Sequence, residues 1–386
     1  MIHLKISNID EINDWYTDEI VKIVKKNATI SIIPHDHPFV IKLDNWLTDY
    51  DNVRQLISVP VDILRERYDV IEEYCRIIEL FTEGMLYERR IRSIKSNRNN
   101  KAKYLEKRTE YIEDHISELL IIYEKLNTVK QEAKISDAKQ SWKNFENMLK
   151  DAKKYIDYSK LFIENHISWA WLDKDSYLKG ELVSRLNIKV CPYCNRQYIQ
   201  SITKYGNKKY LGDIDHIQPK SDFPLFALSF YNLIPACKPC NQLFKRDKKL
   251  KILNPYLEGF DDAAILELRY ASVKELIGEK PVSDLRWTLS GPQRALSEEQ
   301  KNLIKNNIEL FGLNEVYKSD VDEFQYVQKK KYLLESRSLH LSVKKIMAKL
   351  VHWYLGDKMY YGVSLDSDMF QNEILSKAIY DIVKYN

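Results

Sequence analysis

Apolar residues at Leu64, Tyr68, Ile71, Cys75 and Ile78 recur at alternating intervals of four and three, the stripe of one amphipathic helix. Cys75 belongs to that stripe and reads as packing, not as a reagent. A polar, basic break at Ser93–Lys103 precedes a second stripe through Ile112, Ile116, Leu119, Tyr123 and Leu126, with His115 beside it. Further helices are expected over about 139–155 and 158–182, rich in Trp, Tyr and Phe. Residues 1–60 read as mixed, with short strands at Thr29–Ile33 and Phe39–Leu43 on either side of Pro34. His35 and His37 fall in the connection between them and have a turn role in preference to a ligand role. Towards the other end, Ile265–Lys274 and Asp284–Leu289 resemble two strands. Ser297 with Glu298, Glu299 and Gln300 forms a capping box that opens a helix through Ile304, Ile308 and Phe311, stopped by Gly312. A longer helix places Val343, Met347, Leu350 and Tyr354 on one face, and a last one covers Phe370–Tyr385.

The segment 183–258 has a different pattern. Tyr198–Thr203 and Lys209–Ile214 have strand character and are joined by Tyr205-Gly-Asn207, a hairpin signal. Asp215 and His216 then fall at the end of the second strand, and Cys237-Lys-Pro-Cys240-Asn241 opens a helix packed across it. The result is a ββα unit. Cys191-Pro-Tyr-Cys194 and Cys237-Lys-Pro-Cys240 bracket it, forty-two residues apart, and hold four of the five cysteines. Two such pairs point to tetrahedral zinc, which ties together the base of a module too small for a large core. A redox pair lacks the α/β pattern that a thioredoxin-like CxxC follows.

Composition adds two constraints. Charged residues make up 30% of the chain and Gly and Pro are few, which favours helix. No apolar run approaches the roughly eighteen residues of a membrane span, and the acidic start at Asn8–Asp14 lacks a secretory leader. The expected location is the cytoplasm, with no membrane association, where paired cysteines serve as metal ligands more naturally than as disulfides. The net charge of +4 is unremarkable, but Cys191–Lys251 carries eleven Lys/Arg against four Asp/Glu, a local +7, so the remainder sums to −3. Basic charge concentrated around a polar centre favours a polyanionic substrate.

Phosphodiester hydrolysis needs a proton acceptor for water, stabilisation of the charged transition state and help for the leaving oxygen. His216 is the candidate base, because imidazole titrates near neutrality. Asp215 and Asn241 offer hard oxygens to a catalytic Mg²⁺ or Mn²⁺. Asn232 is assigned to orienting the imidazole or its loop, and Lys220, Lys245 and Arg246 to phosphate contact. Asp213, two residues from Asp215 on a strand, shares its face and is a further ligand or a supporting group.

The run Asp215-His216-Ile-Gln-Pro219, then Asn232, then Cys237-x-x-Cys240-Asn241 resembles the HNH endonuclease family in its version with four zinc-binding cysteines. The resemblance covers about residues 188–255. It implies that Asp215 and Asn241 bind the catalytic ion, that His216 is the base and that Asn232 supports it. The last motif position is Asn241 where the name-giving pattern has His, which implies weaker ion affinity. Pro219–Pro224 and Ser229–Cys237 are also similar to HNH proteins of bacterial anti-phage systems, notably the nuclease component of Septu-like systems, which accompanies an ATPase. Ile308–Asn314 is similar to the helical tail of those proteins.

The expected fold is α+β and mostly helical, a ββα-metal core with a zinc knuckle flanked by long helical regions. Its expected parts are a mixed region at 1–60, a helical arm at 61–182, the nuclease core at 183–258 and a C-terminal region of short strands then helices at 259–386. The expected activity is metal-dependent endonucleolytic cleavage with DNA preferred, in a defence effector working with a separate ATPase subunit, a homodimer, or both. No P-loop is present, so the chain itself does not read as an ATPase. The competing readings are a stand-alone restriction-type enzyme, an RNA-directed nuclease, and a non-catalytic zinc-stabilised nucleic-acid-binding module.

Overall fold

The computed structural model describes residues 1–27, 38–76, 176–204, 207–246, 250–289, 296–335 and 343–386, with Lys248 and scattered positions between 78 and 114. The expected strand at Thr29–Ile33, both histidines of the 35–37 loop, the second helical stripe with His115, and the helix at 139–155 lie outside the described residues. The described chain is mostly helical around a small β and turn region, and it divides into two compact units.

One unit comprises Asn13–Lys174 and Gln218–Asn232. Its described helices are most of α1 (Ile9–Asn27), α2 (Pro38–Thr48), α3 (Tyr50–Ser58) and α4 (Val61–Arg67). The apolar run Phe39–Leu43, expected as a strand, lies within α2. A short apolar run has no period long enough to tell strand from helix. The stripe from Leu64 to Ile78 is interrupted at Tyr68, whose backbone is extended at φ −129°, ψ 106° and ends α4. Leu64, Ile71, Cys75 and Ile78 are nevertheless all buried. Burial preserved the stripe; one continuous helix did not. Against this packing lies the loop Gln218–Asn232. Tyr74 meets Phe226 and Phe223 edge-on at 5.8 and 6.4 Å, Tyr16 lies 5.8 Å from Phe230, and its hydroxyl donates to the Leu228 carbonyl at 3.1 Å.

The other unit comprises Met1–Ile12, Asp175–Ile217 and Leu233–Asn386. It contains α5 (Ser176–Leu186) and the hairpin β1 (Ser201–Lys204) and β2 (Asn207–Tyr210), antiparallel with Ser201 opposite Tyr210. Asp215 and His216 do not end that hairpin. They occupy a separate strand, β3 (Asp213–His216), paired antiparallel with β4 (Leu233–Ala236), so that Asp215 faces Ile234 and His216 faces Leu233. Gly212 makes the break possible, since a Cβ there would meet the Ala236 carbonyl oxygen at 2.5 Å. A π-helix at Pro239–Lys245 follows β4 and completes the ββα arrangement.

The C-terminal part builds the rest of this unit. β5 (Ala264–Arg269) and β6 (Asp284–Leu289) pair antiparallel, with α6 (Val273–Leu276) in their connection. Helix α7 (Glu298–Leu310) starts at the expected capping box, in which the Ser297 side chain accepts from the Gln300 amide at 3.1 Å. It ends before Gly312, which is left-handed at φ 56°. α8 (Leu313–Tyr317), α9 (Val321–Glu335), α10 (Val343–Tyr361) and α11 (Ser376–Tyr385) follow. The α10 stripe of Val343, Met347, Leu350 and Tyr354 is exposed; α10 instead buries Lys345 and Ala348 before a break at Gly356, whose φ is 72°, and Tyr360 and Tyr361 after it. The first residues of the chain run through the same unit. The Ile2 amide donates to the Pro192 carbonyl at 2.9 Å and Leu4 to that of Pro255 at 2.8 Å, while Lys5 pairs with Asp368 and Gln371.

Candidate active site and zinc knuckle

Cys191, Cys194, Cys237 and Cys240 are all buried, and their sulfur atoms lie within 4.8 Å of one another. The Cys194 and Cys237 sulfurs are 3.9 Å apart. With Zn–S near 2.3 Å, the edge of an S₄ tetrahedron is about 3.8 Å, whereas a disulfide would bring the sulfurs to about 2 Å. All four cysteines are free of disulfides. Burial pushes the Cys191 thiol well above its ordinary value, while hydrogen bonds from the neighbouring thiols pull that of Cys194 well below it; four thiolates packed this closely would repel one another without a cation between them. The residues fit a structural Zn²⁺.

The knuckle is fixed by its surroundings within the same unit. Asn195 takes a positive φ of 50°, and its Nδ2 donates to the carbonyls of Phe370 and Glu373 at 3.0 and 3.1 Å. Its Oδ1 accepts the Lys377 amide at 3.0 Å. Arg196 forms a two-point pair with Asp320 at 2.5 and 2.9 Å, and the Tyr317 hydroxyl donates to the Cys194 carbonyl at 2.7 Å. The 259–386 region thus supports the zinc site directly.

Strand alternation puts Asp213 and Asp215 on one face of β3, and the π-helix lies against that face. Asn241 Nδ2 donates to Asp213 Oδ2 at 3.1 Å, and Gln242 Nε2 donates to the same oxygen at 2.7 Å. One helical turn on, Lys245 Nζ lies 2.9 Å from the Asp215 carboxylate and donates also to the His216 carbonyl. The matched spacings, two residues on the strand and four on the helix, seat both pairs together.

Asp215 is 4% exposed, and the Tyr193 hydroxyl donates to its Oδ2 at 2.6 Å. Burial pushes its carboxyl above the ordinary value, against the opposing pull of Lys245 and Tyr193. Tyr193 stacks on Phe311 with ring centres 4.5 Å apart. Burial and the neighbouring Asp215 charge raise its own pKa well above normal, so the phenol keeps its proton and remains a donor.

His216 is 7% exposed. Asn232, in the helical unit, is 2% exposed; its Oδ1 accepts the Gln218 amide at 2.6 Å, and its Nδ2 donates to the Phe226 carbonyl at 2.9 Å and that of Gln218 at 3.2 Å. It therefore closes the loop that leads back into β4. Lys220 and Arg246 are exposed, whereas Lys245, expected at the phosphate, is only 2% exposed and engaged with Asp215. Sequence reasoning also passed over Tyr193, whose only signal was a hydroxyl-bearing residue at the centre of a CxxC.

Residues 191–245 match the profile of the family described as HNH endonuclease. This segment is an HNH endonuclease domain with a four-cysteine metal cluster. Neither the curated proteins nor the solved structures contain a match to the chain. Among the described residues, no helix of this HNH-containing chain is long and apolar enough to cross a membrane.

The Asp215 carboxylate and the Asn241 amide oxygen are hard donors, of the chemistry that suits Mg²⁺ or Mn²⁺. The Asp215 carboxylate is paired with the Lys245 ammonium, and the Asn241 side-chain nitrogen is bonded to Asp213.

Proposed function

We propose that the chain is a divalent-metal-dependent endonuclease that hydrolyses phosphodiester bonds, with DNA as its preferred substrate. The observation that carries this reading is the Asp215–His216 pair on β3, buried in a domain that matches HNH endonucleases and lies beside a four-thiol knuckle. His216 takes the proton from the attacking water at its imidazole. Asp215 and Asn241 hold Mg²⁺ or Mn²⁺, which when bound supplies charge stabilisation at the phosphate. Asn232 keeps the 218–232 loop in shape so that His216 and the following residues hold their course. Lys220 and Arg246, exposed and basic, contact the phosphate backbone within the +7 segment.

The finer setting is a defence effector acting in the cytoplasm with a separate ATPase subunit. It is supported by the similarity of Pro219–Cys237 and Ile308–Asn314 to nucleases of Septu-like systems, and by the solvent-facing apolar stripe of α10, on which Trp353 is 83% exposed. The test is zinc-loaded full-length protein against supercoiled plasmid and structured RNA, with Mg²⁺, Mn²⁺ or EDTA. Plasmid nicking or linearisation that EDTA abolishes is expected. Cleavage confined to RNA moves the substrate class; no cleavage of either, with intact zinc and both ions tried, leaves a binding module.

A further inference from the structure

Among the described residues, Lys245–Asp215 and Lys377–Asp381 are the ion pairs whose two partners are both deeply buried, and the first of them lies in the HNH segment. Both partners are almost completely buried, at 2% and 5% side-chain exposure, and the ammonium is shared between the Asp215 carboxylate and the His216 carbonyl. A buried pair of this kind contributes little net stability over an apolar substitute. Its place at the middle of the HNH motif therefore calls for a different account.

We propose that Lys245 is a resident counter-ion for Asp215, and that the catalytic divalent ion loads by displacing it. The inference rests on the reading of Asp215 as an ion ligand. Two like cations cannot share one buried carboxylate at contact distance without strong repulsion in a low-dielectric setting. Ion entry and departure of the ammonium are thus one exchange. The backbone at Lys245 is irregular. Lys245 is the last residue of a π-helix whose final bond runs from the Arg246 amide to the Asn241 carbonyl at 2.9 Å. Arg246 then takes a left-handed φ of 45° with ψ −133°, a strained conformation for a residue with a side chain. Tightening this turn towards α pitch rotates Lys245 relative to Asn241 and carries its ammonium off the carboxylate. The released cation joins its neighbour Arg246 as a phosphate contact, so the nuclease gains basic charge at the substrate only when the ion is in place. Lys245 is a positioning residue in this scheme, acting through Asp215.

The test uses zinc-loaded full-length protein and Mn²⁺ as the probe. In Mn²⁺ titrations followed by electron paramagnetic resonance, Lys245→Met is expected to bind at least about tenfold more tightly than the parent, with zinc content unchanged as the check on folding. Asp215→Asn should abolish that binding. A merely structural lysine would not tighten ion binding when removed. A second measurement needs no variant at position 245: an amine-acylating reagent read by mass spectrometry should leave Lys245 unlabelled in the Mn²⁺-free parent and label it at saturating Mn²⁺. Unchanged or weaker Mn²⁺ binding by a zinc-containing Lys245→Met, or Lys245 protection that persists at saturating Mn²⁺, overturns the exchange. Mn²⁺ binding that survives Asp215→Asn instead overturns the assignment of Asp215 as ligand.

Discussion

The Tyr193 hydroxyl donates to the Asp215 carboxylate at 2.6 Å, so the residue at the centre of the first cysteine knuckle also holds the central acid of β3. The four-cysteine cluster and β3 meet at this phenol. Tyr193→Phe preserves the stacking on Phe311 and removes only the donor. It should cost about 1–3 kcal/mol, the price of leaving a buried acceptor short of a partner, while zinc content stays unchanged. Denaturant melts of the two zinc-loaded proteins check this; equal stability would show that the bond carries no weight.

His216→Ala should leave the fold and zinc content intact and lower the cleavage rate by about 10²-fold or more, the usual order for a positioned proton acceptor. Single-turnover rates on plasmid at saturating ion measure it. A rate within about threefold of the parent places the base elsewhere.

Elemental analysis should find about one tightly held zinc per chain, matching one S₄ site. Cys194→Ser or Cys237→Ser should lose the metal and destabilise the unit, because zinc binding is part of its folding free energy. The Arg196, Asn195 and Tyr317 contacts should loosen with it, and hydrogen exchange around 191–197 and 317–320 reads that directly.

Glu275 gives a pH-dependent expectation away from the site. Its carboxylate accepts the amides of Ala271 and Ser283 at 2.9 and 3.0 Å and the hydroxyls of Ser283 and Ser272. These bonds, the Ser283 hydroxyl first, hold its pKa down to about 2 from 4.5. A depressed carboxyl stabilises the fold above its unfolded value, and that contribution disappears as pH falls from 4.5 towards about 2. Glu275→Gln should therefore be less stable than the parent at neutral pH, with the gap closing across that acid window. Denaturant midpoints taken down the pH scale test it; a gap that widens in acid would contradict the assignment.

Local chemistry was the most legible part of the sequence. Two CxxC pairs can converge on one ion almost regardless of the intervening path, and Tyr205-Gly-Asn207 marked the β1–β2 hairpin. β4 was harder to see because it contains Pro235, which lacks an amide donor and survives in a two-stranded pairing opposite Ile214. The stripes reported which residues are apolar, not what covers them: Leu64 to Ile78 is buried despite the break at Tyr68, whereas Val343 to Tyr354 faces outwards. The pairing of Lys245 with Asp215 was not legible for a related reason. A lysine in a basic run is ordinarily solvated, and only the three-dimensional register of the π-helix on β3 brings it to Asp215.

The Lys5 backbone and side chain bond to Gln371 and Asp368, partners more than 360 positions along the chain. On a translating ribosome the opening residues are exposed long before their seat exists. The unit that carries the four cysteines can therefore close only after residues 368–371 have emerged, and its assembly depends on a sequence separation of 366 positions.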